Sequence, residues 1–267
     1  MTLPSELLAP PILSGKRSES IIRYGDQLAL KSQYLESLHL LEPHSGREMP
    51  RYRWNTPTSP TFYRIGIFAG IHGDEESGVL AAIQFLRELQ INPDISKFYE
   101  LFVYPICNPW GFDAGCREGA SGKDLNRCFW GDHEEEDVRL LEGELRTKRF
   151  DGIVSLHTDD TSEGIYGYVN GSTLTRHLLE PALRTTSSII PRDVRPEIDT
   201  HPAKDSMIFG GYQGILGAPE DQHPQPFSIV FETPHHAPLG KQVAAHLSAI
   251  REILSLFRVI SSEGRDI

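Results

Sequence analysis

A histidine and a glutamate three residues apart, His72 and Glu75, are the first side chains here whose types and spacing could do chemistry. A second histidine, His157, ends an apolar run much later in the chain. Two histidines and one carboxylate, with a fourth position left for water, are the ligand set of a catalytic zinc site. The short His-x-x-Glu pattern also fits a plain helix start, in which Glu75 serves the positive end of the helix.

A carboxylate at the end of another apolar run, Glu232 in Phe-Ser-Ile-Val-Phe-Glu, is the second candidate. Beside a zinc site it could act as a general base, because zinc lowers the pKa of its bound water to roughly 7 and a nearby carboxylate can take the proton. Alternatively, Glu232 caps its loop or pairs with an arginine.

The glycine-rich stretch Gly-Cys-Arg-Glu-Gly-Ala-Ser-Gly-Lys-Asp-Leu-Asn-Arg, residues 115–127, looks at first like a phosphate loop. A phosphate loop needs a glycine five residues before its Gly-Lys pair and a serine or threonine after it. Arg117 and Asp124 stand at those two positions. The stretch therefore does not fit a phosphate loop, and its two arginines, asparagine and aspartate are expected to have another function.

Alternating strands and helices are predicted to position these side chains. Apolar and β-branched runs predict strands, and helical spacing of apolar residues predicts helices. Residues 42–61 are predicted to be a surface connection after a partly helical lead-in at 18–41, and 186–225 are expected to be rich in loops. The pattern predicts an α/β sheet with helices on both faces and ligands beyond the carboxyl ends of its strands. The predicted strands are 62–69, 99–106, 151–157 and 227–232, and the predicted helices are 75–90, 134–148, 173–185 and 239–259.

Composition narrows the function classes. The chain has 267 residues and a formal net charge of −11, without a basic block, which argues against a nucleic-acid or anionic-membrane partner. No secretory signal and no apolar run long enough to span a bilayer is evident. Three cysteines lie close together, so a reduced, cytoplasmic protein is expected.

Five motifs in this order, HGDE, NPWG, CREGASGKDLNRCF, SLH and FETP, resemble the zinc metallocarboxypeptidases of the carboxypeptidase A-like clan. That group includes murein peptide amidases and the related succinylglutamate desuccinylase and aspartoacylase proteins. The resemblance covers roughly residues 62–258. It implies a three-layer α/β/α fold with a central mixed, mostly parallel sheet. From its length, the chain is expected to form a single catalytic domain over 1–267, with a lead-in and connection at 1–61, a hydrolase core at 62–258 and a tail at 259–267.

The resemblance also implies roles for individual residues and one zinc ion as cofactor. It implies that His72, Glu75 and His157 bind the metal and that Glu232 is the general acid and base. Arg117 would polarise the scissile carbonyl, and Asn126 and Arg127 would bind the substrate carboxylate. Asp124 would hold the first histidine ligand in place. A tyrosine from a mobile loop is also expected, and Tyr212, between glycines, is the best candidate, with Tyr166 and Tyr168 as rivals.

The implied activity is hydrolysis of an amide bond next to a free carboxylate. The spacing from Arg117 to Asp124 is that of the peptidases, although Gly119 and Cys128 stand where asparagine is common. A deacylase of N-acyl amino acids is the alternative within the same chemistry, and a non-catalytic module that binds peptides or carboxylates is the alternative from another class. His235 and His236 are expected at most to rim the site without binding the metal, and Asp159 and Asp160 are expected to be a solvated loop or substrate-facing charges, not ligands of a second metal.

Overall fold

The computed structural model describes residues 16–56 and 63–263 of the chain. Parts of the predicted lead-in, connection and tail, and residue 62 of the first predicted strand, lie outside these ranges. The helices are α1 Arg17–Leu30, α2 Glu76–Ile91, α3 Pro109–Ala114, α4 Glu136–Lys148, α5 Leu174–Thr186 and α6 Leu239–Glu263. The strands are β1 Leu35–Ser37, β2 Leu40–Leu41, β3 Glu48–Met49, β4 Tyr52–Asn55, β5 Tyr63–Ala69, β6 Tyr99–Tyr104, β7 Gly152–Asp159, β8 Tyr166–Gly171, β9 Glu197–Ile198, β10 His201–Lys204, β11 Met207–Phe209 and β12 Phe227–Pro234.

A ten-stranded mixed sheet runs through the molecule in the order β1-β4-β6-β5-β7-β12-β8-β11-β10-β9. Its central strands, β6, β5, β7 and β12, are parallel to one another. Antiparallel pairs flank them, formed by β4 with β6 and by β8 with β12. The predicted α/β fold with a mixed sheet is confirmed.

Alternating side chains of the central strands supply a core on each face of the sheet. In β5, Ile67 packs into the cluster that contains Val79 and Ile83 of α2, together with residues of α5 and α6. The next side chain, Phe68, packs on the opposite face with Val138 and Leu141 of α4. Successive side chains of a strand point to opposite faces, so the sheet is the middle of three layers. No helix in the described residues is long and apolar enough to cross a membrane.

The prediction that residues 42–61 form a surface connection is wrong for the middle of that range. Residues 52–55 form β4, which pairs antiparallel with β6, and the side chains of Tyr52 and Trp54 are completely buried. Trp54 donates a hydrogen bond from Nε1 to Ser96 Oγ at 2.8 Å. The neighbouring prolines and arginines mask a four-residue strand, because so short an alternation of apolar and polar residues gives little periodicity to detect.

Strands were also missed after β7. β8 has the sequence Tyr-Gly-Tyr-Val-Asn-Gly, whose two glycines weaken a strand signal. Within the predicted loop-rich region, β9, β10 and β11 extend the sheet beyond β8 as strands of two to four residues. Helix α6 continues to residue 263, into the predicted tail. The other predicted strands and helices agree with the structure to within a few residues at their ends.

A buried pair of carboxyl groups joins the β2–β3 hairpin to α4. Glu42 and Asp137 are 2% and 6% exposed, and their carboxyl groups lie close enough to interact. Glu42 Oε2 also accepts a hydrogen bond from Arg47 Nε at 3.1 Å. Burial, and next the contact with Glu42, raise the pKa of Asp137 to about 8. The pair therefore holds a proton that an unfolded aspartate would release near its ordinary pKa of 3.8.

Replacing Asp137 with asparagine should change how stability depends on pH. Because the folded pKa is raised, the stabilising proton is fully bound below the unfolded pKa and is lost as pH rises towards 8. Between about pH 5 and 8 the free energy of unfolding of the wild type should fall, relative to the variant, by about 1 kcal/mol per pH unit. Urea unfolding at several pH values measures this slope. Asp132→Asn, at an exposed position on the loop before α4, is the control; an equal slope for both variants would refute the shared proton.

Candidate metal and catalytic site

Three neighbouring parallel strands bring the predicted site residues to one edge of the sheet. Glu232 of β12 lies directly beside His157 of β7 in the strand register. Ala69, the last residue of β5, lies beside Leu156, so the turn that carries His72 and Glu75 follows at the same edge. The carboxyl ends of parallel strands form the usual ligand crevice of such sheets.

His72, Glu75 and His157 form a compact, buried cluster. One oxygen of Glu75, Oε1, lies 2.5 Å from His72 Nδ1, and the other, Oε2, lies 3.0 Å from His157 Nδ1. One potential ligand atom from each residue lies within 4.8 Å of the others. Glu75 Oε2 also accepts a hydrogen bond from the backbone N–H of Thr158 at 3.0 Å, which fixes the carboxylate between the two rings.

The far nitrogen of each histidine has its own partner. His72 Nε2 lies 3.1 Å from Asp124 Oδ1, and His157 Nε2 lies 2.9 Å from Ser155 Oγ. Asp124 is fixed in turn by the backbone N–H of Asn126, at 2.9 Å. Partners of this kind set the tautomer and orientation of a metal-ligating histidine. The Ser155 contact was missed in the sequence, although its residue lies two positions before His157 on the same strand face.

The charges of His72, Glu75 and His157 favour a cation bound between these three side chains. Burial opposes ionisation of Glu75, but the adjacent histidines outweigh it and lower the pKa of Glu75 well below its usual range. Burial would lower the pKa of His72, but Glu75 and Asp124 raise it to about 9, whereas burial lowers the pKa of His157. A buried carboxylate that faces two imidazoles is stable with a proton or a metal cation as its partner. The donor set of two nitrogens and a carboxylate fits zinc.

Arg117 lies against the same cluster. Its Nη2 donates to Asp124 Oδ2 at 3.0 Å, and its Nη1 lies 3.2 Å from His72 Nδ1 and 3.6 Å from Glu75 Oε1. Asp124 therefore contacts both His72 and Arg117, and the glycine-rich stretch that carries the arginine is tied directly to the candidate ligands. The guanidinium is close enough for its charge to act on a group bound at the cluster.

Asn126, Arg127 and Tyr212 form the next part of the wall. Asn126 is buried, and its Oδ1 accepts the backbone N–H of Leu216 at 2.8 Å. The Arg127 guanidinium stacks on the ring of Tyr212, with Cζ 3.8 Å from the ring centroid. The Tyr212 hydroxyl donates to Asp199 Oδ1 at 3.2 Å. Tyr212 thus contacts a predicted substrate-binding residue, while the rivals Tyr166 and Tyr168 line the same cavity.

All nine predicted site residues except Asp124 line one cavity of about 480 Å³. Glu232 is 8% exposed and, within the described part of the chain, its carboxylate has no hydrogen-bond partner. Burial, followed by the charges of Glu75, Asp159 and Asp199, raises the pKa of Glu232 well above its usual range. A buried carboxylate that faces a cavity and holds its proton strongly is suited to proton transfer.

Two further residues shape the site. Asn108 is completely buried, and its Nδ2 donates to the backbone oxygens of Ile71 and Glu118, at 3.3 and 3.0 Å. It thereby links the loop of His72 to the loop of Arg117, which the Asn-Pro motif gave no reason to expect. Asp199, in the predicted loop-rich region, was missed altogether and lines the cavity. Of the remaining candidates, Asp159, Asp160 and His235 also line it.

Sequence comparison matches residues 62–189 to the succinylglutamate desuccinylase/aspartoacylase catalytic domain. A comparison with curated proteins gives no significant match. Among solved structures, a candidate metallopeptidase from Shewanella baltica has 24% sequence identity and a TM-score of 0.74, with 90% of this chain and 92% of that chain covered.

Carboxypeptidases are also similar in structure. A metallo-carboxypeptidase from Pseudomonas aeruginosa, in complex with (2-guanidinoethylmercapto)succinic acid, has 16% identity and a TM-score of 0.67 over 90% of this chain and 68% of that chain. The bovine thrombin-activatable fibrinolysis inhibitor, in complex with a tick carboxypeptidase inhibitor, has 15% identity and a TM-score of 0.68 over 92% and 97%. At these identities the structures show a common fold. Together with the domain match and the ordered motifs, they confirm that the chain resembles the zinc carboxypeptidase-like family.

Proposed function

We propose that the protein is a zinc-dependent hydrolase that cleaves an amide bond next to a free carboxylate. The observation that supports this most strongly is the position of Glu232. It lines the same cavity as the His72, Glu75 and His157 cluster, on a strand directly beside that of His157. The same proposal includes a single catalytic domain and a cytoplasmic location. The cytoplasmic location is inferred from the three cysteines, which are all free thiols.

In this proposal His72, Glu75 and His157 hold one zinc ion, which would polarise a carbonyl group and lower the pKa of water in the site to about 7. Glu232 accepts a proton from the attacking water and passes it to the leaving amine nitrogen. Its buried position supports this role, because both proton transfers take place away from bulk solvent.

Arg117 and Arg127 would have different roles in the reaction. Arg117, beside the metal ligands, stabilises the negative charge that develops on the carbonyl oxygen during attack. Arg127 offers a planar fork for the free carboxylate of the substrate, and Asn126 adds its amide NH2 group. Asp124 keeps His72 oriented and holds Arg117 near the reacting carbonyl. Fixing the carboxylate would place the scissile bond in reactive geometry.

An N-acyl amino acid deacylase is the second candidate. The match of residues 62–189 to the succinylglutamate desuccinylase/aspartoacylase catalytic domain favours it. The peptidase spacing between Arg117 and Asp124, and the carboxypeptidases among the similar structures, favour a peptide with a free C-terminus. Both candidates use the same ligands and the same glutamate, so the substrate distinguishes them.

A turnover screen tests the proposal. Zinc-loaded protein is incubated with C-terminal peptides, murein peptides and N-acyl amino acids, and the release of free amine is measured. We expect hydrolysis of peptides with a free C-terminus and none of the same peptides when the C-terminus is amidated. Hydrolysis of the acylated amino acids alone would support the deacylase. Binding without turnover of any substrate would favour a non-catalytic module and contradict the proposed hydrolase.

A further inference from the structure

Asp199 lies in the catalytic cavity on an element that carries none of the predicted site residues. It stands in the two-residue turn between β9 and β10, and its side chain lines the same cavity as Glu232 and Arg127. The turn is strained, because Asp199 and Thr200 both have positive φ, of 46° and 60°. For a β-branched residue such as Thr200 this conformation is unfavourable, and glycine or asparagine is the usual occupant of such turns. Strain of this kind persists where surrounding contacts enforce it, often at functional sites.

Two tyrosines hold the Asp199 carboxylate in place. Tyr168 donates a short hydrogen bond from its hydroxyl to Oδ2, and the Tyr212 hydroxyl donates to Oδ1 at 3.2 Å. His201 Nδ1 lies 2.6 Å from the backbone oxygen of Asp199 and so fixes the turn itself. Each carboxylate oxygen can accept a second hydrogen bond. Two hydroxyl groups thus orient the Asp199 carboxylate, which keeps part of its accepting capacity for a ligand.

Tyr212 connects this carboxylate to Arg127. The Arg127 guanidinium stacks on the ring of Tyr212, and the Tyr212 hydroxyl donates a hydrogen bond to Asp199. A positive and a negative side chain therefore stand about one tyrosine ring apart in the same cavity. A ligand with a carboxylate at one end and a cation a few bonds away matches this arrangement.

Charge in the rest of the cavity agrees with a cationic ligand. Glu232, which is more than nine-tenths buried and has no hydrogen-bond partner among the described residues, faces the same space. Asp159 and Asp160 also line it, whereas Arg117 and Arg127 are the only lysines or arginines that do so in the described residues. Arg117 is engaged by Asp124. A second carboxylate on the substrate, as in an acylated acidic amino acid, would meet like charge at Asp199.

We infer that Asp199, held by Tyr168 and Tyr212, binds a cationic group on the substrate residue whose free carboxylate is held by Arg127. The preferred substrates are then peptides that end in a lysine-like or arginine-like residue. This inference rests on the proposed function and deepens it, because it selects the peptide over the acylated acidic amino acid.

Matched substrates test the charge preference directly. Acyl dipeptides that end in lysine, norleucine or glutamate differ at the side-chain terminus, and citrulline is the neutral counterpart of arginine. We expect kcat/KM of the wild type to be about 10–100-fold higher for lysine than for norleucine, as for a charge-assisted hydrogen bond, and lowest for glutamate. Asp199→Asn should reduce the lysine-to-norleucine ratio at least tenfold, mainly through KM for lysine. Asparagine tolerates positive φ, so the turn should be kept.

Two further variants separate charge from structure. Asp205→Asn, in the neighbouring β10–β11 turn and also at positive φ, lies outside this cavity and should leave the ratio unchanged. Tyr168→Phe, which removes one hydroxyl from Asp199, should lower the ratio by a smaller factor. Equal kcat/KM for lysine and norleucine in the wild type, or an unchanged ratio in both Asp199→Asn and Tyr168→Phe, would overturn the inference.

Binding of free amino acids keeps the inference separate from the hydrolase activity. Calorimetry compares lysine with norleucine as ligands of the zinc-loaded wild type. A preference for lysine that Asp199→Asn loses would support the cation site even if no peptide is hydrolysed, in which case the proposed function alone fails. Hydrolysis without any preference, in turnover or in binding, would refute the cation site and leave the hydrolase intact.

Discussion

Replacing Glu232 with glutamine is expected to reduce kcat by about 10²–10⁴-fold, the usual contribution of general acid and base catalysis. Glutamine has nearly the same shape but can neither accept nor donate a proton at neutral pH. The variant should bind zinc as the wild type does, because Glu232 is not one of the three candidate ligands. Its stability should be equal or higher, because the substitution removes a buried acid that lies close to other carboxylates.

The measurements are kcat on the best substrate of the screen, zinc content by atomic absorption, and the unfolding temperature. Glu163→Gln is the matched control, since it makes the same chemical change at an exposed position just beyond the cavity. Near-normal turnover in a Glu232→Gln enzyme that contains zinc would rule out Glu232 as the base. Loss of zinc in this variant would instead assign Glu232 to the metal.

Replacing Glu75 with glutamine is expected to abolish zinc binding at metal concentrations that saturate the wild type. Glu75 supplies the single negative charge between the two imidazoles, and its oxygens contact both. Without that charge the site loses much of its attraction for a divalent cation, and kcat/KM should fall by about 10³-fold or more.

Unfolding temperature gives a readout that does not depend on catalysis. A ligand at about a thousand times its Kd stabilises the folded state by about 4 kcal/mol, so zinc should raise the unfolding temperature of the wild type and a chelator should lower it. The Glu75→Gln variant should respond to neither. Glu76→Gln, at the next residue, where an ion pair to Arg17 at 3.1 Å is lost, should retain the response to zinc. Zinc at wild-type affinity in Glu75→Gln would show that the metal lies elsewhere.

The candidate site could be predicted because its reactive side chains lie at the ends of long, apolar strands. β5, β7 and β12 each contain seven or eight residues, so their period is readable and their register brings His72, His157 and Glu232 together. Helix α2 was predicted equally well, since Val79, Ile83 and Leu86 recur on its buried face. In these segments local pattern and tertiary packing favour the same structure.

The remaining parts depend on contacts between distant segments. β4 is held by pairing with β6, about fifty residues away, and the β9–β10 turn that presents Asp199 is held by hydroxyl groups of Tyr168 and Tyr212. Neither leaves a clear periodic signal, because strands of two to four residues span at most two full alternations. The role of Asn108 is similarly invisible in sequence, since its partners are backbone atoms of two separate loops.

The short strands at the two ends of the sheet also have a consequence for aggregation. β6 and β12 are buried along their whole length, and long parallel strands with open edges would be templates for pairing with another chain. The sheet instead ends in β1 and β9, strands of three and two residues that carry Glu36 and Glu197 in exposed positions. Short, charged edges oppose the addition of a further strand. Segments that carry no predicted catalytic side chain thus oppose self-association of the central sheet.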